Sequence, residues 1–183
     1  KIAAKAAAAE AAANATEGRE LWKTDGTGNG TIMVKDIISG NVGGFTFSAQ
    51  FGYYSHAFQV VWQSGNKFYF TANNWASAPG GSYTNDIELY ESDGTDAGTF
   101  MLKDIYAGNT YGSDPADFTV INGTLYFVAT SNLYGRELWK TDGTNAGTEL
   151  VKDIKSGNVG GFTTAQQFGY YFHSFKVVWQ TGN

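Results

Sequence analysis

Glu20-Leu-Trp-Lys-Thr-Asp-Gly-Thr27 decides the fold, because the chain repeats it as Glu88-Leu-Tyr-Glu-Ser-Asp-Gly-Thr95 and again as Glu137-Leu-Trp-Lys-Thr-Asp-Gly-Thr144. Each copy runs on through Gly-Thr, two variable residues and an aliphatic residue to Lys-Asp-Ile, ending at Ile37, Ile105 and Ile154. Glu-Leu-Trp-Lys alternates polar and apolar side chains, as a strand with one buried face does. Asp-Gly-Thr-x-x-Gly-Thr carries turn chemistry: the Asp carboxylate accepts backbone N–H groups in an Asx-turn and Gly takes positive φ. The aliphatic run before Lys-Asp-Ile returns as a second strand. Every phrase therefore predicts a β-hairpin.

The self-similarity extends beyond the phrase. With a shift of 117 residues, positions 18–66 and 135–183 align with 37 of 49 residues identical. Two further strands are predicted per unit. Segments 67–72 and 124–129 precede the second and third hairpins, and 58–63, 118–121 and 175–180 follow the three hairpins. Counted this way the first unit has three strands and the other two have four each. Residues 1–16 stand where the first unit's missing strand would be, and the chain stops at Gly182-Asn183, in the phase of Gly65-Asn66. The expected organisation is an Ala-rich N-terminal arm over 1–17 and a β-repeat domain over 18–183, with units of about 18–66, 67–123 and 124–183. Residues 1–13 combine high helix propensity with little apolar bulk, so they are expected as a short helix or arm that needs a neighbour to pack on.

Composition agrees with an all-β fold. Of 183 residues, 16% are aromatic, 24 are glycine and two are proline, a mixture of strand formers and turn formers. The net charge of −5 offers no basic footprint for nucleic acid. No run approaches the roughly 20 apolar residues that span a bilayer as a helix. The absence of cysteine excludes disulfides and thiolate metal sites.

On the three phrases, the chain resembles the bacterial ELWxxDGT repeat family. The resemblance covers residues 18–183. It implies propeller-blade-like units of four antiparallel strands and an extracellular or cell-surface location, with no defined activity to carry over. The aromatic insertion at 43–58, repeated at 160–175, and the Ala-rich start depart from the family pattern.

The carboxylates are candidates for catalysis, since paired acids perform proton transfer. Nine of the 17 acidic residues recur at equivalent positions: Glu20, Glu88 and Glu137; Asp25, Asp93 and Asp142; Asp36, Asp104 and Asp153. An active site is one asymmetric constellation, whereas side chains present in every unit serve the unit, so turn and strand-edge roles are expected and no catalytic residue is assigned. Asp25, Gly26 and Thr27, Asp93, Gly94 and Thr95, and Asp142, Gly143 and Thr144 are assigned to the turns. Structural calcium at these turns is the alternative reading, although their spacing lacks the dense acidic ladder of an EF-hand loop. No other cofactor is expected. His56 and His173 are repeat equivalents in aromatic surroundings and predict packing rather than metal binding. Tyr53, Tyr54 and Trp62, mirrored by Tyr170, Tyr171 and Trp179, read either as core between units or as a platform for a ligand or another subunit.

The sequence thus leads to a non-enzymatic extracellular structural protein whose incomplete repeat ends join other copies of itself as a filament or closed multimer. The alternative is a surface adhesin that stacks glycans on the repeated Tyr and Trp side chains. Neither nucleic acid nor a membrane span enters these expectations.

Overall fold

The structure, a computed structural model, describes residues 13–14, 18–39, 43–45, 58–74, 86–107 and 112–157. The described residues are strands and turns, without a helix. Strands β1 (Ala13–Asn14) and β2 (Gly18–Arg19) pair ahead of the first phrase, and β3 (Leu21–Lys23) and β4 (Ile32–Lys35) form its hairpin. Strands β5 (Val60–Ser64), β6 (Lys67–Asn73), β7 (Ile87–Ser92) and β8 (Phe100–Lys103) form one four-stranded sheet in that order. Strands β9 (Ala116–Ile121), β10 (Thr124–Ser131), β11 (Gly135–Thr141) and β12 (Glu149–Lys152) form another. All pairings are antiparallel. The strand that follows one hairpin opens the sheet of the next, so the sheets lie one strand out of phase with the sequence units starting at 67 and 124.

The N-terminal residues supply part of the strand that the first unit was expected to lack. Ala13 pairs with Arg19 and Asn14 with Gly18, which repeats the register of Thr130 with Arg136 and Ser131 with Gly135. Ala13 is therefore strand rather than helix; the helix or arm expected over the preceding residues lies outside the described residues, as does the strand expected at 175–180. The pairing of each hairpin shifts register at the same place, between Leu21 and Trp22, Leu89 and Tyr90, and Leu138 and Trp139. The extra residue of each bulge lies on the return strand, at Val34, Leu102 and Val151.

Cores form between successive sheets. Leu21, Val34 and Phe45 meet Phe70, Ala72 and Tyr90 in the first. In the second, Trp62, Tyr69, Leu89, Leu102 and Ile105 meet Leu125, Phe127, Ala129 and Trp139. Neighbouring residues of one strand thus enter different cores, Tyr69 and Phe70 in β6 and Leu89 and Tyr90 in β7, because side chains alternate across a sheet. With a core on each side, all six residues of β7 are buried.

The turns are built identically three times. Asp25 Oδ1 accepts from Thr27 N at 2.9 Å and Thr27 Oγ1 at 2.7 Å. Thr27 Oγ1 accepts from Gly30 N at 2.9 Å, and Thr31 Oγ1 donates to the Thr27 carbonyl at 2.7 Å. Around Asp93 and Asp142 the same bonds recur at 2.6–3.0 Å. Gly26, Gly94 and Gly143 hold φ of +93°, +84° and +91°, where a side chain would strain the backbone. Asp93→Ala is expected to lower the urea midpoint, since a side-chain acceptor of backbone N–H groups is removed. Urea unfolding monitored by tryptophan fluorescence checks this, and an unchanged midpoint would mean that the turn stands without its carboxylate.

Candidate functional site

Among the described residues, the chemistry-bearing side chains fall into two repeated sets: buried glutamates between the sheets and exposed aspartates at the turns. Glu20, Glu88 and Glu137 are 1%, 0% and 0% exposed. They are not strand-edge groups, as the sequence suggested, but lie inside. The reason is the segment that follows Lys-Asp-Ile, whose backbone N–H groups need acceptors away from water. Glu20 Oε2 accepts from Ile37 N at 2.7 Å, and its Oε1 accepts from Gly44 N at 2.8 Å and Ile38 N at 3.4 Å. Glu88 accepts from Ser113 N at 2.8 Å, Tyr106 N at 3.5 Å and Ser113 Oγ at 2.5 Å. Glu137 accepts from Lys155 N at 3.2 Å.

The segments so held bridge neighbouring sheets. Phe45 N donates to the Arg19 carbonyl at 3.1 Å while the Gly44 carbonyl accepts from Asn73 N at 2.8 Å. One unit on, Asp114 N donates to the Ile87 carbonyl at 3.1 Å and the Ser113 carbonyl accepts from Thr130 N at 2.7 Å. Glycine begins each bridge because nothing larger fits: a Cβ on Gly43 would lie 2.2 Å from Arg19 N, and one on Gly112 2.0 Å from Ile87 N.

Burial pushes Glu20 and Glu88 up to about 7, against the lowering effect of their hydrogen bonds, with Asp36 beside Glu20 and Asp104 beside Glu88 adding repulsion. Asp86, 7% exposed, is pushed up to about 6 by burial and by Asp104. A carboxyl raised toward neutral pH is what a general acid requires. Here, however, the oxygens of Glu20 and Glu88 are occupied by N–H and O–H groups of their own unit. The turn aspartates differ: hydrogen bonds from Thr27, Thr95 and Thr144 hold Asp25, Asp93 and Asp142 below the usual carboxylate range. Each sits on its own exposed turn. No group of three or more metal-ligating side chains occurs among the described residues.

Trp62 lies in the second core, 8% exposed and stacked on Tyr69 at 4.6 Å between ring centroids. Its partners in the aromatic set, Tyr53, Tyr54, Tyr170, Tyr171 and Trp179, lie outside the described residues, as do His56 and His173. The lysine of Lys-Asp-Ile carries contacts that the sequence reading left unassigned. Lys35 Nζ lies 3.0 Å from Asp96 Oδ1, and Lys103 Nζ donates to the Thr148 carbonyl at 2.7 Å. Each lysine so reaches the turn of the next unit. The signal was present, since lysine recurs at this place in every copy, but alternation alone cannot show which neighbour a strand's charged end meets.

No family model, curated protein or solved structure matches the chain.

The buried glutamates set a pH dependence. On unfolding, Glu20 and Glu88 return to ordinary values near 4.5, so between about 4.5 and 7 the folded protein binds more protons than the unfolded one. Their contribution is fully present below that window and is lost as pH rises through about 7. The turn aspartates act oppositely: their contribution is lost only below their ordinary 3.8. The melting temperature is therefore expected to be higher at pH 5 than at pH 8, with a smaller difference in Glu88→Gln. Calorimetry across that range checks it; a melting temperature that rises from pH 5 to pH 8 would contradict the assigned protonation.

Proposed function

We propose that this chain is a non-enzymatic, extracellular structural protein that assembles with other copies of itself, its sheets stacked as blades of a propeller-like array. The supporting observation is a difference between equivalent residues. On the side of each sheet that faces the following unit, Leu21 and Val34 are 1% and 6% exposed, and Leu89 and Leu102 are 1% and 2%. Their third-unit equivalents are half-buried Leu138 and Val151, the latter 41% exposed. Ile105 is 5% exposed and its equivalent Ile154 is 54%. One side chain alone would mean little, but an apolar face that is buried twice and, among the described residues, left uncovered once supports a contact surface for a partner.

The repeated roles of the acids support a structural rather than catalytic reading: Glu20 and Glu88 each tie a bridge, and Asp25, Asp93 and Asp142 each tie a turn. The extracellular location rests on the resemblance of the three phrases to surface repeat proteins. Calcium is not needed by this reading, because threonine N–H and O–H groups already engage the turn aspartates.

Light scattering of the full chain at micromolar concentration is expected to give masses that are multiples of the protomer. Val151→Asp, which places a charge on the open face, is expected to return the mass to that of the protomer while leaving the melting temperature nearly unchanged. A wild-type protein that stays monomeric at those concentrations would overturn the proposal.

A further inference from the structure

The proposal of self-assembly leaves open which surface meets the open face, and the repeats identify it. Between described units the same contacts are made twice. The face containing Leu21 and Val34 packs against Tyr90, and that containing Leu89 and Leu102 packs against Trp139. Lys35 and Lys103 bond to the carbonyls of Asp96 and Asn145 at 3.5 Å and 3.4 Å, and Lys103 also to that of Thr148. Asn145 Nδ2 donates to the Leu102 carbonyl at 2.8 Å.

The first unit carries the receiving half of this interface with nothing described upon it. Thr31 is exposed, whereas its equivalents Thr99 and Thr148 are 2% and 0% exposed. Thr24 is half-buried, against 0% for Ser92 and Thr141. Gly26 is exposed, whereas Gly143 is buried, with Tyr69 and Trp62 so close that a Cβ there would lie 2.3 Å from Tyr69 Oη. Trp22 is half-buried where Tyr90 and Trp139 are 5% and 6% exposed. Among the described residues the donating half in the third unit is likewise uncovered. Beside Leu138, Val151 and Ile154 stands Lys152, exposed and equivalent to Lys35 and Lys103.

We infer that the third unit of one copy docks on the first unit of the next, with Leu138 and Val151 against Trp22 and Lys152 on the turn carbonyls of Gly28 and Thr31, repeating the contact between units within the chain. This rests on the self-assembly proposed above and adds its register. The two surfaces differ, so the contact is head-to-tail: each copy both donates and receives, and growth proceeds until the rotation per copy closes a ring or continues as a filament. A symmetric pairing would instead bring like faces together and leave Lys152 without the turn that its equivalents use.

The chain has no cysteine, which makes thiol bridging a direct test. In the Lys152→Cys, Gly28→Cys double variant of the full chain, a short bismaleimide is expected to produce a ladder of covalent dimers, trimers and higher species. Gly28 tolerates the change, since a Cβ there meets nothing within 4 Å. Mixing the two single variants is expected to yield dimers only, and either alone none. Lys103→Cys with Asn145→Cys, equivalent positions within one chain, is the control and is expected to close within the monomer. If light scattering shows assembly and the control closes, but no intermolecular product forms, the head-to-tail register is overturned while self-assembly stands. If the protein is monomeric, both fall. Products from Lys152→Cys alone would establish the symmetric contact instead and overturn this one.

Discussion

A buried glutamate carboxylate sets the constraint that the rest of the structure obeys. After each of the first two hairpins the backbone leaves its sheet and crosses to the next, where its N–H groups lie away from both ladder and water. A buried N–H without an acceptor costs on the order of 1–3 kcal/mol, so a crossing of this kind needs acceptors delivered from the side. Glu20 meets Ile37, Ile38 and Gly44, and Glu88 meets Tyr106 and Ser113. A carboxylate suits this role because two oxygens can gather several N–H groups, whereas a hydroxyl offers one atom. Its desolvation opposes the gain, and the upward displacement of Glu20 and Glu88 to about 7 records that opposition.

With the crossings fixed, the sheets must lie face to face, and the burial pattern follows. A strand between two others in its own sheet, covered on both faces by neighbouring sheets, has no solvent side on which to place polar groups. Strand β7 meets this demand by burying Glu88, Glu91 and Ser92 with partners: Glu91 is reached by Lys67 Nζ and Ser92 Oγ lies 2.7 Å from Thr99 Oγ1. The protein is in this sense one-dimensional, each unit completing the next. Residues of identical local sequence acquire different exposure according to whether a described unit packs on them.

The hairpins and turns were legible in the sequence because their determinants are local. Asp, Gly and Thr at fixed spacing specify the Asx-turn, and a second glycine is required at Gly98, where a Cβ would fall 2.1 Å from Asp93 Oδ1. The buried glutamates were not legible as such. Alternation places Glu beside Leu on opposite faces of a strand, and ordinary experience puts the charged face in water; only the next sheet, remote in sequence, buries it. The fate of Trp62 is likewise tertiary, since stacking on Tyr69 and packing over Gly143 involve two different sheets. Grouping by sequence unit also misplaced the sheet boundary by one strand, because a tight turn such as Gly65-Asn66 joins strands of one sheet while similarity of sequence says nothing about which ladder a strand enters.

Where the units differ, the differences sit between the phrases rather than within them. The Glu20 bridge uses Gly44 and the Glu88 bridge uses Ser113, which adds a hydroxyl bond, yet both pass a carbonyl to an N–H near the end of a strand in the following sheet, that of Asn73 or Thr130. The second bridge continues through Asp114 and Asp117 at φ of +48° and +57°, positions that non-glycine residues adopt only when their surroundings hold them. Arg136, 6% exposed, supplies such a hold by donating to the Asp114 carbonyl at 3.0 Å. The repeated phrase therefore carries the conditions for stacking, and the connecting segments are free to vary as long as each returns an N–H to its glutamate and a carbonyl to the next sheet. Any property that distinguishes one unit from another must be sought in those connections, since the phrases themselves give every unit the same turn, the same tie and the same two faces.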